Sequence, residues 1–208
     1  MVDDETIRIA VFAIIMVFAI PLHEFGHALA ADFCGDDVPA LQGRVTMEPW
    51  AHWDLLGSIL MALAIFFQLP LIGWGKPILT DPTHYRNGKW GRLLVASAGI
   101  LVNLLLATIG AVVFRVMHLG QHSYSGSILD MFVLVNLSLA FFNLLPIPPL
   151  DGSKILFWFL PTNAAIKLEQ RVQPISFLLL YALVFLAPQV VDIRVPANWM
   201  CQHFLGLS

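Results

Sequence analysis

Long stretches without Asp, Glu, Lys or Arg divide the sequence into candidate membrane-crossing segments. A helix needs about 20 mostly apolar residues to cross the hydrocarbon core of a bilayer. Residues 55–75, 93–114, 131–150 and 172–191 are uncharged and long enough, and residues 9–31 contain a single charged residue, Glu24. The pattern predicts an all-α integral membrane protein, a polytopic helical bundle with about 4 to 6 membrane segments.

Proline and glycine interrupt two of these stretches. The run Pro146-Ile147-Pro148-Pro149 cannot continue a helix, because proline lacks a backbone N–H and crowds the preceding turn. The helix in residues 131–150 should therefore stop there. Non-helical backbone at membrane depth is tolerated next to protein or a water-filled cavity, so this stop is expected to form the wall of a site. Residues 55–75 are interrupted at Gly57, Pro70, Gly73 and Gly75, which predicts a re-entrant segment or a helical hairpin.

Composition agrees with a lipid environment and excludes other classes of protein. Hydrophobic residues make up 58% of the 208 residues and charged residues 12%, about half the charge that soluble domains carry. The net charge of -3, with Lys and Arg scattered singly, offers no basic patch for nucleic acid. Because no repeat, linker or low-complexity run is visible, residues 1–208 are predicted to form a single membrane-embedded domain.

A metal-binding pattern lies in the first apolar stretch. His23-Glu24-Phe25-Gly26-His27 is an HExxH sequence, which places two imidazoles on one face of a helix. Such a pair binds one zinc ion, and the Glu24 carboxylate would accept a proton from a zinc-bound water molecule. Polar residues that merely pair with each other are a weaker interpretation, because ionisable side chains at membrane depth are costly.

Two histidines do not complete a catalytic zinc site, which usually has three protein ligands and an open position. The candidates for a third ligand are Asp151, His52, Asp54, His84 and His118. Asp151 is the best placed, because it follows the Pro-rich helix stop directly. A carboxylate at the end of a span is also a common interfacial residue, but the neighbouring Asn143 and Gly152 favour a role at the site.

The segment around Asp151 also has a family pattern. Asn143-Leu144-Leu145-Pro146-Ile147-Pro148-Pro149-Leu150-Asp151-Gly152 resembles the second signature of the site-2 protease family of intramembrane zinc metalloproteases. Gly43-Arg44-Val45-Thr46, Gly73-Trp74-Gly75-Lys76-Pro77 and Ala98-Gly99-Ile100-Leu101-Val102-Asn103 are similar as well. The likeness covers about residues 10–185 and is to short members without PDZ or CBS modules. It implies one zinc ion per chain, held by His23, His27 and Asp151, with Glu24 as general base.

A shared metal also determines the relative direction of two helices. If His23, His27 and Asp151 bind one ion, the first helix and the helix in residues 131–150 must run parallel. Parallel helices need an odd number of crossings between them, so residues 55–75 are predicted to be re-entrant. With the N-terminus outside, eight of the eleven Lys and Arg residues are cytoplasmic, which leaves Arg8, Arg115 and Arg194 outside. We expect the plasma (inner) membrane of a prokaryote and an active site that opens toward the cytoplasm.

The predicted function is that of an intramembrane zinc metalloendopeptidase. It would hydrolyse peptide bonds in or near transmembrane segments of membrane proteins, as in regulated intramembrane proteolysis. An unwound substrate would pair by strand addition with a small β element after the first helix, for which residues 41–47 are the candidate edge. Asn143 and Asn103 would bind the substrate carbonyl or steady the helices, and His52, like Asp54, would support the metal ligands or lie at the interface.

Two other functions would use similar residues. A membrane metal-ion transporter needs a continuous polar path across the bilayer, whereas few ionisable residues lie beyond the cluster. A catalytically silent membrane scaffold would not need Glu24. The expected partners are membrane protein or membrane peptide substrates and the lipid bilayer, without nucleic acid, and the oligomeric state stays open.

Overall fold

The described parts of the chain consist mainly of helices, which are joined by turns and by longer non-helical segments. The computed structural model describes residues 4–67, 74–119, 123–186 and 194–202. The α-helices are α1 (Asp4–Ala13), α2 (Ile20–Cys34), α3 (Val38–Leu41), α4 (Leu55–Phe66), α5 (Lys89–Val116), α6 (Tyr124–Leu144), α7 (Asp151–Trp158), α8 (Thr162–Val172), α9 (Ser176–Leu186) and α10 (Arg194–Met200). A π-helical stretch, Ile14–Ala19, joins α1 to α2, and short 3-10 turns occur at Pro49–His52, Pro82–His84 and Gln173–Ile175. The all-α prediction is confirmed for the described residues.

Among the described residues, three helical stretches are long and apolar enough to cross a membrane. They are Glu5–Cys34 with 30 residues, Lys89–Val116 with 28 and Tyr124–Leu144 with 21. By contrast, α4 has 12 residues and is therefore about 18 Å long, less than the bilayer core. The predicted segment 172–191 contains α9 but ends outside the described residues. The membrane character is confirmed, while the predicted number of spans stays a prediction.

The helix α5 packs against α2, α6 and α7 and lies between the parts of the chain that carry the motifs. The Nδ1 atom of His27 contacts the carbonyl of Val95, and the side chain of Asn103 contacts the carbonyl of Ala19. Ala19, at the end of the π-helical stretch that leads into α2, therefore meets a later part of α5 than His27 does, so α2 and α5 are antiparallel.

The pairing of α5 with α6 is antiparallel too. Asn103 bonds to Asn136, whereas Gly110, two turns further along α5, lies against Val133, which precedes Asn136 on α6. Two successive antiparallel pairings make α2 and α6 parallel, as the shared-metal hypothesis requires.

Glycine allows α2 and α5 to approach closely. A Cβ atom added to Gly26, the fourth residue of the HExxH motif, would lie 2.7 Å from Cγ2 of Val102 and 3.2 Å from the carbonyl oxygen of Ala98. Small residues at helix contacts are the usual means of bringing membrane helices together. The motif therefore determines helix packing as well as the positions of the two histidines.

The predicted β element at residues 41–47 is wrong. Within the described residues no strand is present, and residues 41–47 comprise the end of α3 followed by turns and bends. The N–H groups of Gly43 and Arg44 donate to the carbonyls of Ala40 and Pro39, both at 2.9 Å, and Gly43 has a positive φ of 67°. Local turn bonds thus use backbone groups that a strand edge would need, which overrides the β-prone composition.

Extended pairing occurs instead at the two ends of residues 55–75. Trp53 and Gly75 form an isolated antiparallel bridge, and the N–H of Lys76 donates to the carbonyl of His52 at 2.8 Å. The chain therefore enters α4 and returns beside its starting point. Residues 68–73 of the predicted re-entrant segment lie outside the described residues.

The Pro-rich stop lies where the sequence predicts it. The helix α6 ends at Leu144, and α7 begins at Asp151, in whose first turn a carboxylate interacts favourably with the helix dipole. A Cβ atom on Gly152 would lie 2.2 Å from the carbonyl oxygen of Leu144, so any side chain here would collide with the end of α6. Glycine at position 152 therefore allows the start of α7, which carries Asp151, to pack against the end of α6.

Candidate metal centre

Three buried side chains from two distant parts of the chain meet beside α5. His23 and His27 extend from successive turns of α2, and Asp151 reaches them from the start of α7. The Oδ2 atom of Asp151 lies 3.1 Å from Nε2 of His23 and 3.0 Å from Nε2 of His27, and the two Nε2 atoms are 3.2 Å apart. The proposed ligands therefore converge on one point.

The other ring nitrogens determine which tautomer faces this point. Nδ1 of His27 lies 2.6 Å from the carbonyl oxygen of Val95, and Nδ1 of His23 lies 2.6 Å from Oδ1 of Asn103. Both partners are hydrogen-bond acceptors, so each Nδ1 carries the proton and donates it. In the neutral rings, each Nε2 then presents a lone pair toward the Asp151 carboxylate.

The geometry fits a zinc ion. Ligand atoms about 2.0 to 2.1 Å from tetrahedral zinc are separated by roughly 3.3 Å, close to the observed triangle of 3.0, 3.1 and 3.2 Å. Two imidazole lone pairs and a carboxylate oxygen at this spacing repel one another unless a cation or added protons lie between them. Two neutral histidines and one carboxylate are also a usual ligand set for catalytic zinc.

The second carboxylate oxygen of Asp151 has a separate partner. Oδ1 accepts a hydrogen bond from Nζ of Lys154 at 3.2 Å, and the Lys154 side chain is half exposed. Lys154 is one turn further along α7, so the bond holds the carboxylate with Oδ2 toward the histidines. The bond from Lys154 thus orients the Asp151 carboxylate and leaves Oδ2 available to a metal.

Glu24 lies on the wall of a cavity of about 430 Å³ that also exposes the three proposed ligands. Asn143 lines the same cavity, and its Nδ2 donates to the carbonyl of Leu139 at 3.0 Å. Opposite Glu24 lies Gly75, where a Cβ atom would come within 3.3 Å of Cγ of Glu24. The candidate general base therefore faces open space next to the metal centre, bounded by a non-helical segment.

His52 is placed behind that segment. It is fully buried, its Nε2–H donates to the carbonyl of Thr46 at 2.8 Å, and its Nδ1 accepts from Nη2 of Arg44 at 3.3 Å. Arg44 also donates to the carbonyl of Lys76. Burial lowers the pKa of His52 and that of Arg44. The structure therefore makes His52 a support for the chain around Gly75, with both ring nitrogens used in bonds outside the metal centre.

The remaining candidates for a third ligand lie elsewhere. Asp54 caps the N-terminus of α4, where its Oδ1 accepts from the N–H of Gly57 at 2.8 Å. His84 belongs to a separate cluster with Asp36 and Asp37. His118 follows the end of α5, roughly 28 Å along the helix axis from Gly99 beside the histidines. Of the five candidates, all of them in described parts of the chain, Asp151 reaches the two histidines.

Comparison with known proteins agrees with this chemistry. The model of "Peptidase family M50" matches residues 117–187. "Putative zinc metalloprotease YwhC" of Bacillus subtilis is 35% identical over 164 residues, which cover 76% of this chain and 72% of the relative. The chain belongs to peptidase family M50, the site-2 protease family. Together with its long apolar helices, this membership makes it a membrane zinc metalloprotease.

Other relatives of this M50 peptidase come from Mycobacterium tuberculosis and Methanocaldococcus jannaschii. "Putative zinc metalloprotease Rip2" of Mycobacterium tuberculosis is 31% identical over 193 residues, covering 88% of the chain and 72% of the relative. "Putative zinc metalloprotease MJ0611" of Methanocaldococcus jannaschii is 29% identical over 164 residues, covering 73% and 82%. No solved structure matches the chain.

The sequence assigned no individual role to two residues of the M50 site. Gly99 lies against both histidines, since a Cβ atom there would be 2.5 Å from Nε2 of His27 and 2.5 Å from Cε1 of His23. Asn136 is fully buried on α6 and bonds to Asn103. The available signal for Asn136 was an amide in the middle of an uncharged span, where polar side chains usually have a function. The available signal for Gly99 was its place in the family-like run Ala98 to Asn103, and its contact with the histidines became visible only in the packing of α2 against α5.

Proposed function

We propose that this M50 peptidase is an intramembrane protease that hydrolyses peptide bonds in or near transmembrane segments of membrane proteins. The observation that carries the proposal is the position of Glu24. It lies in the cavity beside His23, His27 and Asp151, among helices long enough to cross a bilayer. A hydrolytic base next to three ligands and an open cavity supports peptide hydrolysis better than metal storage.

Each residue has a distinct task in the proposed reaction. His23, His27 and Asp151 would hold one zinc ion, which supplies polarisation of the scissile carbonyl and acidification of a water molecule. Glu24 would accept a proton from the attacking water and deliver it to the leaving amine. Asn143, on the same cavity wall, would hydrogen-bond the substrate carbonyl and thereby align the peptide.

The substrate would bind in an extended conformation along the non-helical residues 74–81. This segment replaces residues 41–47 as the proposed edge, because Trp74, Gly75 and Ile78 line the cavity and Gly75 already pairs with Trp53 in β geometry. A helical substrate must unwind before its amide is accessible, and strand addition replaces the hydrogen bonds that unwinding breaks.

The proposed membrane arrangement follows from the helix directions. Residues 55–75 would enter and leave on one side of the bilayer, since their flanks are hydrogen-bonded to each other. With the N-terminus outside, the parallel α2 and α6 would place the metal centre toward the cytoplasm, where most Lys and Arg residues would lie. A prokaryotic plasma (inner) membrane is the proposed location.

Cleavage by purified protein in liposomes tests the proposal. A membrane-embedded model peptide is incubated with wild type and with Glu24→Gln at equal zinc occupancy, and Glu48→Gln is the control because Glu48 is exposed and bonded to Trp50. We expect Glu24→Gln to cleave roughly 10² to 10⁴ times more slowly and the control to match wild type. Equal cleavage by wild type and Glu24→Gln would contradict the mechanism. Zinc flux without cleavage would instead indicate a transporter, and neither flux nor cleavage a silent scaffold.

A further inference from the structure

A chain of side-chain amides connects the metal centre to the far side of α5. Nδ1–H of His23 donates to Oδ1 of Asn103 at 2.6 Å, and Nδ2 of Asn103 donates to Oδ1 of Asn136 at 2.9 Å. Nδ2 of Asn136 in turn donates to the carbonyl of Phe132 at 2.8 Å. Asn103 and Asn136 are both completely buried. The chain therefore crosses three helices, α2, α5 and α6, without contact with solvent.

The backbone carbonyls of Phe132 and Ala19 determine the direction of every hydrogen bond along these side-chain amides. The Phe132 carbonyl can only accept, so it must face the amide nitrogen of Asn136 and leave the Asn136 oxygen toward Asn103. The Ala19 carbonyl, 3.2 Å from Nδ2 of Asn103, imposes the same orientation from the other side. Reversal of either amide would bring two acceptor oxygens together. The oxygen of Asn103 is thus directed at His23, which must carry its proton on Nδ1.

We propose that Asn136 is a positioning residue for the metal centre, and that it acts through Asn103 to hold His23 in the tautomer whose Nε2 is available to a metal. Asn136 touches none of the three proposed ligands. One N–H of the Asn103 amide donates to the Ala19 carbonyl, and the other donates to Asn136. This second bond transmits the effect of Asn136 to Asn103. The inference rests on the proposed metal site and identifies one cause of its affinity.

The alternative role is mechanical. Buried amides also tie membrane helices together by hydrogen bonds between their side chains. A purely mechanical Asn136 would change the stability of the α5–α6 contact and leave the affinity of a folded protein for zinc unchanged. Partners that orient metal-bound histidines, by contrast, typically change metal affinity by about 10- to 100-fold. Zinc affinity therefore separates the two roles.

The test is a zinc competition titration with a chromogenic chelator, performed on the purified 208-residue chain in detergent. The isosteric pair Asn136→Val and Asn136→Thr is decisive, because the Thr hydroxyl can donate to the Phe132 carbonyl and accept from Asn103, whereas Val can do neither. Asn103→Leu and the double variant Asn103→Leu/Asn136→Val complete a cycle. Thr108→Val is the control, since Thr108 on α5 makes a similar bond to the carbonyl of Leu104 away from the metal centre.

We expect Asn103→Leu to weaken zinc binding by about 10- to 100-fold and Asn136→Val by about 3- to 10-fold, with Asn136→Thr closer to wild type. Asn136→Val should have no further effect in the Asn103→Leu background. Equal affinities for Val, Thr and wild type would overturn the proposal, as would an Asn136→Val effect of the same size in both backgrounds. If the Val variant does not fold, Asn136→Ala and Asn136→Ser provide the same comparison.

The experiment also separates failure of this inference from failure of the proposed function. Zinc binding that is insensitive to His23→Ala in the same titration would show that the three proposed ligands do not form the site, which would overturn both. Zinc binding that needs His23 but not Asn136 would overturn the positioning role alone. The titration measures zinc binding and not cleavage. A protein that binds zinc but does not cleave would therefore still support the positioning role of Asn136.

Discussion

The substitution Gly99→Ala tests the packing that brings α5 against the metal centre. A Cβ atom at this position would lie 2.5 Å from Cε1 of His23, 2.5 Å from Nε2 of His27 and 2.6 Å from Nε2 of His23. Ordinary contacts between such atoms are about 3.5 Å. The two rings, or the helix that carries Gly99, must therefore move by about 1 Å.

We expect Gly99→Ala to reduce the free energy of zinc binding by more than it reduces the free energy of unfolding. Functional groups must be held within about 0.5 Å of their productive positions, and a displacement of about 1 Å can cost on the order of 10²-fold in activity. Overpacking costs typically 1 to 3 kcal/mol, part of which is offset because Ala favours a helix by about 1 kcal/mol over Gly. Disturbed surroundings of metal ligands typically weaken metal binding by about 10- to 100-fold, so we expect zinc affinity to fall by about that much in a protein that still folds.

The assay is zinc competition combined with thermal unfolding in detergent. Gly110→Ala is the matched control, because it makes the same change on α5 at the contact with Val133 and Phe132, remote from the metal centre. The control should change the unfolding temperature and leave zinc affinity unaltered. Wild-type zinc affinity in Gly99→Ala would refute the close approach of α5 to the histidines, and equal losses in both variants would assign the effect to general destabilisation.

Further predictions concern the residues around the site. Burial lowers the pKa of His52, so the folded chain binds this proton less readily than the unfolded chain, whose histidine pKa is about 6.5. The stability contributed by neutral His52 is complete above about pH 6.5 and is lost as the pH falls below it, so wild type should lose more thermal stability on acidification than His52→Gln. A parallel pH dependence in both would contradict this. Asp54→Ala should cost about 0.5 to 2 kcal/mol in denaturant unfolding through loss of the α4 cap, whereas Asp54→Asn should not, and neither should alter zinc affinity. Lys154→Met should weaken zinc binding because it releases the outer oxygen of Asp151, with Lys154→Arg largely restoring it. Unchanged affinity in Lys154→Met would show that the bond is incidental.

Several features of this peptidase follow from local sequence because their causes are local. Uncharged runs of about 20 residues predict membrane helices wherever they occur. The spacing of His23 and His27 places both on one helix face, and Pro146 to Pro149 end a helix because of proline geometry. These properties depend on a few neighbouring bonds, so they persist in the folded protein.

Long-range contacts were decided by the tertiary structure. Asp151 is separated from His27 by 124 positions, and whether it or His52 meets the histidines depends on how α5, α6 and α7 pack. The β-prone residues 41–47 became turns because nearby carbonyls satisfied their N–H groups, while Gly75 and Trp53 formed the β pairing instead. Gly99 and Asn136 acquire their significance from α2 and α5, and no spacing in the sequence encodes those distances. Packing of the helices, which brings remote residues within about 3 Å, is the physical step that converts a two-histidine motif into a three-ligand centre.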